Sequence, residues 1–326
     1  MTKKIIAIGN AIVDILCKVD DKFLESHNLI KGSMSLIDED TAEKLSQLQP
    51  EKITSGGSAG NTIATLAQMK NESAFIGKVG HDKFGQQFVH EIEKSGVEFL
   101  GKNSYDKLSA KSFVLVTPDA QRTMCTFLGC ASEIDPSFID EKQFSGAAIL
   151  YLEGYLWDRP ETILALKKAI ELAKKNHLKI AFSLSDAFCV SRHKQDFIDL
   201  VLGDLDILFA NENEAIELVS KERFSLEVLN NFFAKNKNLI AIVTRGEKGC
   251  VIFKAEKISE ISTDKIAKII DTTGAGDAFA AGFLHGLTHD FDLEKSATLG
   301  NKLAGKIIQK FGARFENDEV NHESME

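Results

Sequence analysis

Short apolar runs alternate along this chain with longer stretches of helical period. Residues 5–8, 74–79, 147–152, 180–184, 206–210 and 239–244 are largely apolar on successive positions, the pattern of strands buried on both faces. Between several of them lie amphipathic helices. In residues 162–175, Ile163, Leu166, Ile170 and Ala173 fall on one face, and Lys167, Lys168, Lys174 and Lys175 lie largely away from it. Strand–helix alternation predicts an α/β fold with three layers, αβα, around a mostly parallel central sheet.

Two regions break this rhythm. Residues 15–37 and 110–127 contain short polar–apolar alternations, such as Lys111-Ser112-Phe113-Val114-Leu115-Val116 and Thr123-Met124-Cys125-Thr126-Phe127. Pro118-Asp119-Ala120-Gln121 between these two is a turn signal, so they are expected to pair as a hairpin. The expected division is a large α/β part, residues 1–14, 38–109 and 128–326, carrying a small β lid formed by 15–37 and 110–127. No Pro-rich or Gly/Ser-rich linker and no internal repeat divides the chain further.

Composition narrows the class of partner. The chain has 326 residues and a net charge of −9, without a clustered basic patch. A nucleic-acid polymer, whose binding requires Lys and Arg to displace counterions, is therefore not expected. No run of about 18 apolar residues suggests a membrane span. The first apolar run is interrupted at Gly9, Asn10 and Asp14, which favours a buried first strand over a signal peptide. The cysteines, Cys17, Cys125, Cys130, Cys189 and Cys250, are irregularly spaced with no Cys-x-x-Cys pair, which suggests free thiols in a reducing cytoplasm.

The densest chemical signal is Asp271-Thr272-Thr273-Gly274-Ala275-Gly276-Asp277-Ala278-Phe279, followed by a helical stretch rich in small residues. Gly274 and Gly276 are expected to take unusual dihedrals and to present bare N–H groups. The helix that starts there adds its free amides and positive dipole end, which makes an anion hole. Asp277 fits such a place if it faces an attacking hydroxyl while the amides face a transferring phosphoryl group. Taken alone, a Gly-x-Gly-Asp string is more often a capped turn; the nine-residue string is far more specific.

Here the sequence resembles the ribokinase-like carbohydrate kinase (PfkB) family. Residues 271–279 resemble its C-terminal signature. Gly56-Gly57-Ser58-Ala59-Gly60-Asn61 resembles its N-terminal glycine motif, Asn211-Glu212-Asn213-Glu214 its Asn-x-x-Glu motif, and Thr244-Arg245-Gly246-Glu247-Lys248-Gly249 its nucleotide-side loop. These come in family order and spacing over essentially the whole chain. Within the family, Gly9-Asn10-Ala11-Ile12-Val13-Asp14-Ile15, Tyr151-Leu152-Glu153-Gly154-Tyr155 and Asp206-Ile207-Leu208-Phe209-Ala210-Asn211-Glu212 are most similar to the adenosine kinases.

The resemblance implies ATP and Mg²⁺. It makes Asp277 the base, the amides of Gly274, Ala275 and Gly276 the anion hole, and Arg122, in Gln121-Arg122-Thr123, an added positive charge. Asn211 and Glu214 would organise Mg²⁺ through water. Asn211, Thr244, Gly246, Gly249 and Asn301 would face the nucleotide. A monovalent cation, K⁺, near Asp271 and Thr273 is left open, as is the choice between monomer and homodimer. Without the resemblance, Asn211–Glu214 reads as a helix cap and Arg122 as a solvated turn residue.

The acceptor end is weaker. Asn10, Ile12 and Asp14 share a face if the segment is extended, two polar groups flanking an apolar one. That arrangement suits a ribose diol with a flat base nearby. Gly56, Gly57 and Asn61 are implied to contact the substrate, and Leu36, Phe113 and Tyr155 are candidate apolar walls. The expected reaction is phosphorylation of a nucleoside primary hydroxyl, foremost the 5′-OH of adenosine. A sugar kinase acting on ribose, fructose or a related sugar and a catalytically silent nucleoside-binding regulator are the rivals. A dinucleotide-dependent oxidoreductase is disfavoured, because no Gly-x-Gly-x-x-Gly follows the first strand. His285 and His289 have metal-ligand spacing but no third ligand, and read as helix C-terminal contacts.

Overall fold

The computed structural model describes residues 4–119, 121–316 and 319–320. Ala120 of the expected hairpin turn and the outermost residues of the expected large part lie outside that range. A nine-stranded sheet runs β16-β15-β14-β13-β12-β11-β1-β5-β7. Its strands are β1 (Lys4–Ile8), β5 (Ser73–Ile76), β7 (Val97–Phe99), β11 (Ala147–Glu153), β12 (Lys179–Ser183), β13 (Ile207–Asn211), β14 (Ile240–Thr244), β15 (Cys250–Lys254) and β16 (Lys257–Ile261). All neighbours are parallel except along β14–β15–β16, a meander at one edge.

The alternation of side chains along β1 shows why the strands read as unbroken apolar runs. Ile6 and Ile8 join one core with α5 (Pro160–Lys175), α6 (Ala187–Gly203), α7 (Glu212–Leu218) and α8 (Leu226–Phe233). Ile5 and Ala7 join the opposite core with α3 (Ser58–Gln68), α4 (Lys83–Lys94) and α9 (Ala275–Thr288), and α10 (Leu293–Ile307) packs against α9. This is the expected three-layer architecture, a ribokinase-like α/β fold.

The second sheet has five strands in the order β3-β10-β9-β2-β4: β3 (Met34–Leu36), β10 (Arg122–Phe127), β9 (Ala110–Val116), β2 (Ile12–Lys18) and β4 (Lys52–Ser55). Two short helices, α1 (Asp21–Ser26) and α2 (Glu39–Leu45), accompany it. The β9–β10 hairpin forms in antiparallel register, with Arg122 opposite Val116. The sheet is wider than the expected lid segments, because it takes in residues 12–14 and all of β4. The expected strand over 74–79 is broken: β5 ends at Ile76, and β6 (Lys78–Gly80) pairs instead with β8 (Lys102–Ser104). Gly77 marks the break. A Cβ there would lie 2.5 Å from the Phe75 ring and 3.2 Å from the Gly9 carbonyl, so the chain turns where only glycine fits. No helix among the described residues is long and apolar enough to cross a membrane.

Candidate active site

The strand order reverses between β1 and β11. Later strands are added outward through β12, β13 and β14 on one side and through β5 and β7 on the other. Loops leaving such a switch point diverge to opposite faces of the sheet and open a crevice between them. Asn10 follows β1, and Glu153 ends β11.

Glu153 fastens the crevice. Its Oε1 accepts from the Asn10 N–H at 2.8 Å and from Asn10 Nδ2 at 3.0 Å, and its Oε2 accepts from the Ala59 N–H at 2.7 Å. The buried carboxylate thus ties the β1–β2 connection to the first turn of α3. Burial pushes it up to about 7, against the pull of these donors. With Nδ2 spent, Asn10 is left with Oδ1 buried and unpartnered among the described residues.

Two glycines make the acceptor corner possible. A Cβ on Gly56 would sit 2.3 Å from Asp14 Oδ2. Gly57 has φ +80°, and a Cβ on it would lie 2.4 Å from the Asn10 carbonyl oxygen. Asp14 itself accepts no hydrogen bond among the described residues. Burial pushes it up to about 7; Arg314 opposes this, while Asp277 and Asp271 add to it.

Cross-strand register shows which side chains share the Asp14 face. Asp14 pairs with Thr54 and with Ser112, Ser112 pairs with Thr126, and Thr126 pairs with Leu36. Met34 and Met124, two residues back along their strands, lie on that face as well. Leu36 therefore lies on that face. Phe113 does not. It is one residue from Ser112, so the pleat turns it to the other side, where it is fully buried in the core with Ile15 and Cys125. Tyr155 stands at the ends of the large sheet, its hydroxyl donating to the Ser185 carbonyl at 3.3 Å. Burial raises its phenol well above the ordinary value, with Asp186, Glu214 and Asp277 contributing.

The phosphate end is the N-terminus of α9. Asp277, in its first turn, accepts from Ser58 Oγ at 2.6 Å and from Asn61 Nδ2 at 2.9 Å. Burial raises its carboxyl, and these two donors hold it down. Gly274 is in the left-handed region at φ +77°, with a would-be Cβ 2.6 Å from that of Ala313. Gly276, contrary to expectation, is ordinary helix, and its virtue is open space: a Cβ there would meet nothing within 4 Å. The N–H groups of Gly274, Gly276 and Asp277 have no acceptor among the described residues. The Ala275 N–H, expected in the anion hole, is instead bonded to the Thr272 carbonyl at 3.2 Å.

Arg122 reaches this loop from β10. Its Nη1 donates to Thr273 Oγ1 at 2.7 Å and forms an ion pair with Asp271. Asp271 also accepts from the N–H groups of Thr273 (2.8 Å) and Gly312 (2.7 Å). Both of its oxygens thus already accept hydrogen bonds, and the positive charge beside it is Arg122.

On the nucleotide side, Asn211 and Glu214 form a capping box at the start of α7: Asn211 Oδ1 accepts from the Glu214 N–H at 2.9 Å, and Glu214 accepts from the Asn211 N–H at 3.0 Å and from Nδ2 at 2.5 Å. Burial pushes Glu214 up to about 7. Thr244 ends β14, its hydroxyl donating to the Ala210 carbonyl at 3.3 Å. Gly246 (φ +57°) and Gly249 (φ +80°) shape the turn into β15. Asn301 is not free for a ligand through its amide nitrogen, which is 3.2 Å from the Ser262 carbonyl and holds the segment after β16.

Sequence reasoning missed Ser58, although it lies inside the glycine motif. It gave no role to Glu153, because nothing local says that a carboxylate at a strand end will meet the chain 143 residues earlier. Arg314 carried no signal at all. His285 lies away from this site, buried at the far end of α9 with Nδ1 2.6 Å from Asn71 Oδ1.

A switch-point crevice with a buried carboxylate beside free helix-terminal amides, reached by an arginine from a second sheet, is the arrangement of a kinase for small hydroxylated substrates. The comparisons agree: residues 25–320 match the pfkB family carbohydrate kinase, and the chain belongs to that family of ATP-dependent kinases. It is 38% identical to the structure of adenosine kinase from Sinorhizobium meliloti, with a TM-score of 0.87 and coverage of 97% of this chain and 96% of that one. A probable sugar kinase from Rhizobium etli CFN 42 is 39% identical, with a TM-score of 0.88 and 96% of each chain covered. The curated adenosine kinase of Saccharomyces cerevisiae is 28% identical over 99% of both chains.

Proposed function

We propose that this kinase transfers the γ-phosphoryl group of ATP to the 5′-hydroxyl of adenosine, giving AMP. The observation that carries the reading is the make-up of the acceptor face. Asp14 has no hydrogen-bond partner among the described residues and suits a ribose 2′,3′-diol. The same face continues into Met34 and Leu36, which are 48% and 58% exposed and offer a purine base an apolar wall. A free sugar would set hydroxyls against that wall at a cost of about 1–3 kcal/mol for each one left unpaired. The likeness to the Sinorhizobium meliloti enzyme supports the same choice.

In this reading Asp277 takes the proton of the attacking hydroxyl. Ser58 and Asn61 fix its carboxylate, so one geometry is presented to the acceptor. The free N–H groups of Gly274, Gly276 and Asp277 stabilise charge on the transferring group, and Arg122 adds positive charge at the loop edge. Phosphoryl transfer depends mainly on positioning and electrostatics, so a weak base suffices. Mg²⁺ typically takes one or two carboxylates together with phosphate oxygens and water. Glu214 fits such an ion through water, because its oxygens are partly occupied by Asn211; Mg²⁺ there would neutralise phosphate charge. The five-stranded sheet acts as the lid over the acceptor. The five cysteines, free and buried, suit a cytoplasmic enzyme.

The test is kcat/KM for adenosine, inosine, ribose and fructose at fixed ATP and Mg²⁺. Adenosine is expected to lead. Ribose or fructose used as efficiently as adenosine would replace this reading with that of a sugar kinase.

A further inference from the structure

Arg314 follows α10 and lies beneath the glycine motif. Its Nε donates to the Ser55 carbonyl at 3.1 Å. Ser55 is held from its other side as well, because its N–H donates to Glu91. The next residue is Gly56, whose missing Cβ makes room for the Asp14 carboxylate. One helical turn further on, a Cβ on Gly60 would lie 3.3 Å from Arg314 Nη2. Arg314 is therefore packed against the segment that joins the acceptor corner to the residues holding Asp277.

Its chemistry is incomplete. Nη1 and Nη2 are buried and have no hydrogen-bond partner among the described residues. An unpaired buried guanidinium is costly, so a site that keeps one has a use for its charge or its donors. The charged groups that act on it are Asp14 from β2, Glu91 from α4 and Asp277 from α9. Glu91 is engaged by Ser55 and by Gln87 Nε2 at 3.2 Å. Asp277 is engaged by Ser58 and Asn61. Asp14 alone of the three accepts no hydrogen bond among the described residues, and its carboxyl lies against Gly56, the residue that follows the Ser55 carbonyl held by Arg314. Asp277 and Asp271 are the other charges that act on Asp14, and both are negative.

We propose that Arg314 is a positioning residue of the acceptor site, which pins the Ser55–Gly56 segment and supplies the positive counter-charge that lets Asp14 meet the acceptor as a carboxylate. This rests on the reading of Asp14 as the diol-binding group. Without the guanidinium, burial and then the two neighbouring carboxylates would favour the protonated form of Asp14, which accepts hydrogen bonds poorly.

The experiment compares wild type, Arg314→Gln and Arg314→Lys across pH 5.5–9, measuring kcat and acceptor KM separately together with melting temperature. In Arg314→Gln the acidic limb of kcat/KM is expected to move up by about one pH unit, equivalent to about a tenfold rise in KM on that limb. The difference should vanish at high pH, with kcat changing less than KM. Arg314→Lys keeps the charge and should restore the limb even if its melting temperature falls. If both variants lose stability alike and keep the wild-type pH limb, Arg314 is only a strut and the proposal is wrong. If Arg314→Gln does not fold, an Arg314→Lys limb displaced from wild type overturns it equally. Wild type is assayed first with adenosine. Failure there sinks the nucleoside reading, and the comparison then proceeds with whichever acceptor wild type uses.

Discussion

Replacing Asp277 by Asn separates chemistry from architecture at this site. The carboxylate is nearly isosteric with the amide and sits between two side chains, Ser58 Oγ at 2.6 Å and Asn61 Nδ2 at 2.9 Å. In Asp277→Asn the new Oδ1 can still accept from Asn61. The new Nδ2 can donate to Ser58, whose hydroxyl rotates to accept. Both contacts survive, and a buried negative charge is removed. Because burial raises the Asp277 carboxyl, removing the charge relieves a desolvation penalty, so folding stability should change by no more than about 1 kcal/mol in either direction. Catalysis should fall far more. Loss of a general base typically costs about 10²–10⁴-fold, equivalent to roughly 3–5 kcal/mol at 1.36 kcal/mol per decade. The assay is single-turnover kcat with saturating ATP and acceptor, alongside melting temperature and nucleotide affinity. A kcat within tenfold of wild type would refute the assignment of Asp277 as base. A collapse in melting temperature with parallel loss of ATP binding would instead make it a strut between α9 and α3.

Two further substitutions probe the nucleotide side and the lid. Glu214→Gln should raise the Mg²⁺ concentration for half-maximal rate more than it raises the acceptor KM; an unchanged Mg²⁺ dependence would leave the Asn211–Glu214 capping box as a purely structural cap. Arg122→Ala removes both the Thr273 hydrogen bond and the Asp271 ion pair, and should lower kcat by about 10²-fold, the scale of one lost charge-stabilising donor. Unaltered kcat, or superimposable lid positions in free and acceptor-bound crystals, would count against a closing sheet.

Sequence alone determined a good deal here. Short unbroken apolar runs such as residues 5–8, alternating with amphipathic stretches of helical period, are the pattern of strands covered on both sides, so the three-layer fold followed from that alternation. The string from Asp271 to Phe279 was legible because its chemistry is local: amides at a helix N-terminus and a carboxylate one turn in depend on neighbours in the chain. The Asp14 face was half legible: alternation puts Ile12 and Asp14 on one face of β2, but Asn10 lies before that strand with its amide tied to Glu153. Tertiary structure decided the rest. Phe113 was a wall or a core residue depending on one step of strand register, and the pairing of Asp14 with Ser112 turned it inward. The pairing of Asp271 with Arg122, 149 residues away in the chain, was likewise a product of the fold. Glu153 and Arg314 became part of the site only because the reversal of strand order at β1 and β11, and the return of the chain after α10, set distant segments against the same glycine turn. Long-range contacts of this kind have no periodicity and no local propensity, so they leave no pattern along the chain.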